Sequence, residues 1–362
     1  MKKKKLLFLL AAAFLVLLAG FFRFRFHPAV YQKFSWLYGK EVAVTKSENL
    51  EGTTILESEL SQGNVVYASV MGVNLSSKKA VDYHFVVPKM QKCGDYLLAY
   101  DKDGTEAVVF YKNKELYHIQ TEHKIMNAKV NNAGYLAVIS EQLGYRGMVT
   151  VYNRKGTAVY KVYSGEKYLL DADVQGNGRR LAVCQYDTAS DTLTTGIQFY
   201  KLDEQEPYAT ADTGETVFTN LHFMNNGKLV AVGEKMVVGY SASNGEESWR
   251  YSYDGASLQS FSVDSDSSVA LVLRQQKQKI VWLTQSGIDR VYWYDGADIK
   301  KIVHNKSGIL FATTRDLTFL NSQCYPIATR QFSRDITTLH MAEKGLSGAV
   351  LYDSGFDLIK VK

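Results

Sequence analysis

The chain has 362 residues, of which 46% are hydrophobic and 22% charged, the balance of a globular chain that can bury a large core. Its formal net charge is +5, but residues 1–40 hold eight basic residues and no acidic one, which leaves 34 of the 42 basic residues against 37 acidic ones. A nucleic-acid surface needs positive charge concentrated on the folded domain, so nucleic acid is excluded as an expected partner.

The N-terminal segment predicts a membrane anchor. Four lysines (Lys2, Lys3, Lys4 and Lys5) precede an uncharged apolar run at residues 6–22, which aromatic residues extend to residue 26. At 1.5 Å per residue the run spans about 25 Å, enough to cross a bilayer when flanking side chains snorkel. A cleaved signal peptide is the alternative, but aromatic residues with Arg23 and Arg25 stand where a small-x-small cleavage site is expected.

The charges around this run also predict its orientation. More basic charge precedes the run than follows it, so the basic head at residues 1–5 is expected in the cytoplasm and the uncleaved signal-anchor at residues 6–26. Residues 27–40 form an aromatic juxtamembrane segment, in which Trp36 suits the headgroup zone. The domain at residues 41–362 is therefore predicted on the outer face of the cytoplasmic membrane, its first expected partner.

From residue 41 onward a unit recurs at the spacing of propeller blades. In each copy a polar turn precedes a short apolar strand, and turn anchors at positions 94, 134, 178, 227, 267, 308 and 345 lie 37 to 49 residues apart. A second glycine turn follows several anchors, so each unit has two hairpins and four strands. We predict an all-β fold, a β-propeller of about seven four-stranded blades after the transmembrane helix, closed by pairing of the terminal strands.

Two alternatives to this architecture stay open at the level of sequence. Residues 41–90 together with the C-terminal strand at 356–361 would supply an eighth blade. A β-sandwich with chance spacing of its turns is the competing fold.

One unit carries a recognisable motif. The stretch from Val238 to Arg250, with Asn244-Gly245 followed by Trp249, resembles the repeat of quinoprotein-like (PQQ-like) propellers. The strand turns of the form G-x-x-L-A-V resemble WD40-like and TolB-like propellers. The whole chain, with its basic head and one span, resembles a family of single-pass membrane propellers of Gram-positive bacteria. The first resemblance implies that Trp249 docks between neighbouring blades.

Two groups of side chains are candidate functional sites. Five positions before the turn anchors stand the polar residues Lys129, Asp173, His222, Ser262 and His340. Since the first strand of a blade lines the propeller channel, they predict a polar ring that could hold an ion or a small ligand; solvated channel walls without a ligand are the alternative. The second group is aromatic and would contact protein or glycan if exposed, or else pack between blades: Tyr251, Tyr253, Tyr292, Trp293 and Tyr294.

Motifs for catalysis and metal binding are absent from the sequence. It contains no nucleophile elbow, H-E-x-x-H, P-loop or dinucleotide fingerprint, and its three cysteines form no C-x-x-C pair. No catalytic residue, cofactor or metal is predicted. The predicted function is a non-catalytic protein-binding or scaffold module in envelope assembly, secretion or maintenance. The alternative is an envelope enzyme, a quinoprotein-type dehydrogenase or a glycan-acting hydrolase, with Asp171, Asp173 and Asp298 as its candidate carboxylates.

Overall fold

The computed structural model describes residues 13–16, 41–46, 85–111, 114–187, 194–214, 216–264, 268–342, 345–352 and 355–361. Residues 13–16 are helical, and the described ranges contain no helix long and apolar enough to cross a membrane. The residues predicted to flank the anchor lie outside the described ranges: Lys2, Lys3, Lys4, Lys5, Arg23, Arg25 and Trp36. The anchor therefore stays a prediction.

Twenty-eight strands in the described ranges form seven four-stranded antiparallel sheets, which confirms the predicted all-β class. We call each sheet a blade. The first described strand, β1 (Val42–Lys46), belongs to the seventh blade. Blade 1 comprises β2 (Pro88–Cys93), β3 (Tyr96–Asp101), β4 (Glu106–Tyr111) and β5 (Lys114–Gln120). Blade 2 comprises β6 (Ile125–Val130), β7 (Leu136–Ser140), β8 (Gly147–Tyr152) and β9 (Ala158–Ser164). Blade 3 comprises β10 (Tyr168–Val174), β11 (Arg180–Asp187), β12 (Thr194–Lys201) and β13 (Ala209–Asp212).

The remaining blades continue in chain order. Blade 4 comprises β14 (Phe218–Phe223), β15 (Lys228–Gly233), β16 (Met236–Ser241) and β17 (Glu247–Ser252). Blade 5 comprises β18 (Ser257–Asp264), β19 (Ser268–Arg274), β20 (Gln278–Thr284) and β21 (Asp289–Tyr294). Blade 6 comprises β22 (Lys301–Asn305), β23 (Gly308–Ala312), β24 (Asp316–Asn321) and β25 (Pro326–Gln331). Blade 7 comprises β26 (Thr338–Met341), β27 (Ser347–Tyr352), β28 (Gly355–Val361) and β1.

The core lies between the blades. Six clusters of buried side chains each combine residues of two successive blades. Strand β19 is buried on both faces from Ser268 to Leu273, because its blade lies between two others. In the cluster between blades 4 and 5, Trp249 packs on the buried residues, and a Cβ at Gly287 of blade 5 would lie 3.0 Å from its ring. The predicted docking of Trp249 between blades is thus confirmed.

The terminal strands close the seventh blade. β1 pairs antiparallel with β28, from Val42 opposite Val361 to Lys46 opposite Asp357. The predicted pairing of the terminal strands is confirmed. The C-terminal strand, which the alternative assigned to an eighth blade with residues 41–90, belongs to blade 7, and the described ranges contain seven sheets. Residues 42–46 supply the fourth strand of blade 7, and blade 1 begins only at β2.

The turns of each blade alternate between two ends of the ring, because neighbouring strands are antiparallel. The first and third turns lie at one end, here called the first-turn end, and the second turns lie at the other, the second-turn end. The amide of Val361 donates to the carbonyl of Leu346 in the first turn of blade 7 (2.9 Å), and Val361 pairs with Val42. Strand β1 therefore begins at the first-turn end.

Two strand glycines should respond differently to the same substitution. A Cβ at Gly308 would overlap the backbone carbonyl of Leu320 and approach Leu346 to 2.9 Å, whereas the nearest atom to a Cβ at Gly196 is 3.7 Å away. We expect Gly308→Ala to lower the free energy of unfolding by about 2 kcal/mol through overpacking. Gly196→Ala should leave it unchanged or raise it slightly, because alanine restricts the unfolded chain. Urea unfolding of both variants measures the difference. Equal changes in the free energy of unfolding would contradict the close packing of Gly308 against Leu320 and Leu346.

Candidate functional site

A cavity of about 810 Å³ occupies the channel at the first-turn end. Among the described residues, its lining comes from every blade except blade 3 and includes residues of the first turns, such as Asp95, Asn132 and Ser307. Its volume lies within the range of small-molecule sites, roughly 300–1,000 Å³. The cavity is therefore a place where the described chain could hold a ligand.

The predicted polar ring forms one row of paired residues around this channel. Each predicted member stands opposite a small or β-branched residue of the second strand of its blade: Lys129 opposite Ala137, Asp173 opposite Ala182, His222 opposite Val230, Ser262 opposite Ala270 and His340 opposite Ala349. Four of the five line the cavity: Lys129, His222, Ser262 and His340. Asp173 does not; its carboxylate accepts hydrogen bonds from the amides of Phe223 (2.6 Å) and Val174 (2.9 Å).

Gln91 is a member of this row that sequence reasoning missed. Strand pairing places it opposite Leu98, the blade 1 counterpart of Ala137. Gly94 is the first residue of its turn (94–95), whereas Gly134 is the fourth of its turn (131–135), so counting five positions back from Gly94 reaches Lys89 instead of Gln91. The position of the glycine within the turn was the available signal. The Gln91 side chain bonds both backbone groups of Val130, at 2.8 and 3.2 Å, and so links blades 1 and 2.

Lys129 has its charge satisfied inside the protein. Its ammonium lies 3.1 Å from the carboxylate of Asp171 and also donates to the carbonyl of Leu221 in blade 4. Burial alone would lower the pKa of Lys129, but the nearby charges of Asp171 and Asp173 outweigh burial and leave it above its ordinary value. Lys129 is therefore a charged side chain that links blades 2, 3 and 4.

The candidate carboxylates of the enzyme hypothesis each have their own partners. Besides Lys129, Asp171 accepts a hydrogen bond from the amide of Leu221 (2.7 Å). Burial raises the pKa of Asp173 to about 7. Asp298 is exposed and pairs with Arg274 at 2.8 Å. Each carboxylate thus makes structural contacts in this fold. In the part of the chain that the structure describes, no group of three His, Cys, Asp or Glu side chains could hold a metal ion.

His222 is a buried side chain with an unsatisfied polar atom. Burial and the charge of Lys129 lower its pKa to about 3, so the ring is neutral. Its Nδ1 lies 3.8 Å from the Asp173 carboxylate, too far for a hydrogen bond, and its Nε2 has no hydrogen-bond partner among the described residues. An unsatisfied buried polar atom costs about 1–3 kcal/mol, so His222 would gain from a polar ligand or a water molecule.

His304, in contrast, is fully hydrogen-bonded. Its Nε2 lies 3.1 Å from the carbonyl of Ser268 and therefore carries the proton, and its Nδ1 accepts from the hydroxyl of Ser262 at 2.9 Å. Burial lowers its pKa from the ordinary 6.5 to about 4, with Asp264 acting in the opposite direction. The hydroxyl of Ser262, a member of the predicted ring, is thus engaged by His304.

Acidification should destabilise the protein, because it protonates the buried His304. Because the folded-state pKa lies below the unfolded value, its contribution is complete above pH 6.5 and is lost as the pH falls towards 4. Between pH 7 and pH 4 the wild type should lose roughly 3 kcal/mol more stability than His304→Gln, whose amide can keep both bonds. Urea unfolding across this range measures it. Parallel curves for the two proteins would show that His304 does not titrate in this way.

The predicted contact aromatics do not form one exposed patch. Tyr253 and Tyr292 are buried in the clusters that flank blade 5, and Tyr251 and Tyr294 are half-buried. Only Trp293 is well exposed, with 57% of its surface accessible. Alternate residues of an outer strand face the next blade, so Tyr253 and Tyr292 pack between blades, and the five side chains do not share one exposed surface.

A different exposed aromatic surface lies on blades 2 and 3. The second turn of blade 2 carries Leu143 and Tyr145, which are 87% and 49% exposed, and Tyr163 on β9 is 48% exposed. The Tyr145 and Tyr163 ring centroids are 5.0 Å apart. The guanidinium of Arg146 donates to the hydroxyl of Tyr168 (2.7 Å) and lies 4.9 Å from its ring centroid. We call this surface the tyrosine patch and define it as Leu143, Tyr145, Arg146, Tyr163 and Tyr168.

Sequence reasoning missed the tyrosine patch. Its signal was the loop sequence Leu143-Gly144-Tyr145-Arg146, where apolar and aromatic side chains stand outside any strand. Tyr163 and Tyr168 come from two different blades, and only the folded ring brings them beside this loop. The patch lies at the second-turn end, opposite the cavity.

The chain belongs to the family of unknown function DUF5711, whose model matches residues 41–361. The crystal structure of BamB from Moraxella catarrhalis is similar, with a TM-score of 0.52 and 12% identity, and the match covers 88% of this chain and 99% of that chain. The crystal structure of the C-terminal WD40 domain of Sif2 is similar over 75% of this chain and 80% of that chain, with a TM-score of 0.55 and 14% identity. No curated protein matches the chain by sequence.

At these identities the structural matches show the fold. The predicted likeness to PQQ-like and WD40-like β-propellers is confirmed at that level. The predicted kinship with a family of single-pass membrane propellers has no support in these matches.

Proposed function

We propose that this β-propeller is a non-catalytic scaffold, anchored on the outer face of the cytoplasmic membrane, that binds a protein partner for envelope assembly, secretion or maintenance. The observation that carries the proposal is the tyrosine patch. Tyrosine and arginine are enriched at the energetic centres of protein interfaces, and a contiguous exposed apolar surface on a globular domain is a recurrent mark of an interaction site.

The direction in which the chain joins the ring supports this arrangement. β1 begins at the first-turn end, so the predicted anchor at residues 6–26 would hold that end towards the membrane. The tyrosine patch lies at the second-turn end and would then face away from the bilayer. In that position it could reach a partner in the envelope without competition from the lipid surface.

Crosslinking of the full-length protein in its membrane tests the proposal. Captured proteins are read by mass spectrometry for the wild type, for the double variant Leu143→Asp/Tyr163→Asp, and for an anchor-only chain of residues 1–40. Ile288→Asp is the matched control, since Ile288 is an exposed apolar residue (63%) of blade 5, away from the patch. A partner captured by the wild type and by Ile288→Asp, but not by the patch variant, is the expected result. Capture that the patch substitutions leave unchanged would overturn the assignment of the patch, and the absence of any partner would overturn the scaffold.

A further inference from the structure

The wall of the channel cavity formed by blades 1 and 2 carries unpaired positive charge. Lys92 on β2 and Arg154 in the third turn of blade 2 both line the cavity and are exposed to it. Neither forms an ion pair with a carboxylate within the described ranges, whereas Lys129 is neutralised by Asp171. This wall therefore presents two cations that are available to a ligand.

Aromatic side chains complete the same wall. Tyr96 and Tyr111 also line the cavity, with ring centroids 4.8 Å apart. The Arg154 guanidinium lies 5.7 Å from the ring centroid of Tyr135. Stacking of this kind limits the conformations of an arginine and so reduces the entropy lost when it binds an anion.

Blade 4 supplies neutral polar groups, and the carboxylates of Asp95 and Asp264 also line the cavity. Asn220 and His222 on β14 line it, and the Nε2 of His222 is a buried polar atom without a partner in the described structure. A ligand in the cavity could satisfy this atom while its charged group meets Lys92 and Arg154. The two observations, cations without an ion-pair partner and an unsatisfied polar atom, point to a ligand that carries both an anionic group and a polar group.

We propose that the cavity binds a phosphate- or carboxylate-bearing ligand, with Lys92 and Arg154 holding its oxyanion. A guanidinium presents paired N–H donors that match a carboxylate or phosphate, and such charge-assisted bonds are about twice as strong as neutral ones. The inference concerns the cavity alone and does not depend on the tyrosine patch or its partner.

Two sources can supply this oxyanion. The cavity opens at the first-turn end, where the chain joins the ring, so a phosphate of an anionic lipid headgroup is one source. A soluble phosphate ester or carboxylate is the other. The chemistry at Lys92 and Arg154 is the same for both.

Calorimetric titration of the full-length protein with citrate and with inorganic phosphate tests the site. In nanodiscs of neutral lipid, at least one probe should bind the wild type, and Lys92→Gln and Arg154→Gln should each weaken that binding about tenfold, the loss expected for one charge-assisted contact. Lys155→Gln is the matched control, since Lys155 is the next residue of the same turn and lies outside the cavity lining; its affinity should equal that of the wild type.

A second arm separates the sources. In nanodiscs containing phosphatidylglycerol, a headgroup that occupies the cavity would weaken binding of the probe, and the weakening would disappear in Arg154→Gln. Unchanged binding of the probe in both lipids would assign the site to a soluble ligand. No binding of either probe at millimolar concentration, or binding that both substitutions leave intact, would overturn the proposal. Each of these readouts is independent of the crosslinked partner.

Discussion

Lys129→Ala is expected to lower the free energy of unfolding by about 3–5 kcal/mol, the cost of leaving a buried carboxylate without its partner. The Lys129 ammonium lies 3.1 Å from Asp171, and the side chains of both residues are more than nine-tenths buried. Removing the ammonium therefore leaves the Asp171 carboxylate buried between blades 2 and 3 without its cation. Chemical denaturation of the full-length protein measures the change.

Two further variants separate lost charge from lost packing. Lys124→Ala removes an exposed lysine just before the same strand and should change stability by less than about 0.5 kcal/mol. The double variant Lys129→Met/Asp171→Asn should recover part of the loss, because neither side chain then carries a charge while the amide still accepts from Leu221. A small effect of Lys129→Ala alone, equal to that of Lys124→Ala, would contradict the buried ion pair.

Val42→Asp should be similarly severe, because it places an unpaired charge in the strand that closes the ring. Val42 is 2% exposed, packs in the cluster between blades 6 and 7, and its carbonyl accepts from the Arg330 guanidinium (2.8 Å). We expect a loss of about 3 kcal/mol or more, together with earlier proteolysis of the terminal strands. Limited proteolysis and urea unfolding report the two effects.

A neighbouring substitution provides the control for closure. Glu41 precedes the strand and is exposed, so Glu41→Lys changes charge at the same place without burying it. It should behave like the wild type in both measurements. If Val42→Asp also matched the wild type, β1 would not be the strand that completes blade 7.

Much of the fold could be predicted from the sequence because the blade repeat is local. The first turns of blades 1, 2, 3, 4 and 7 contain glycine or asparagine. Every first turn leads into a strand that is buried on both faces, so its apolar run is visible without knowledge of the partners. The polar ring could be found in the same way, since counting back keeps the register wherever the anchor residue stands near the end of the turn. Gln91 was missed because its anchor, Gly94, is the first residue of the turn.

The packing of an outer strand against the next blade could be predicted from the sequence only for blade 4. Trp249 was recognisable as an aromatic residue after a glycine turn, and it lies against Gly287 of the next blade. Tyr117 of blade 1 lies in the same way against Gly156 of blade 2, at 3.0 Å from a Cβ built there. The position recurs but the side chain differs, so a motif based on residue identity finds only the tryptophan.

The tyrosine patch could not be predicted for a different reason. Its members come from the second turn of blade 2, from β9 and from β10, and their proximity depends on how two blades pack. The five aromatic residues singled out in the sequence do not share a surface, because Tyr253 and Tyr292 are buried between blades. Exposure is set by the packing of neighbouring blades, which a single sequence does not show.

Contact between the tyrosine patch and a protein partner can be measured by site-specific photocrosslinking. A photoreactive amino acid is placed at Tyr163 of the patch or at Trp293, the exposed aromatic of blade 5, in the full-length protein in its membrane. We predict a discrete crosslinked partner from position 163 and none from position 293. A partner crosslinked from position 293 alone, or no crosslink from position 163, would contradict the account.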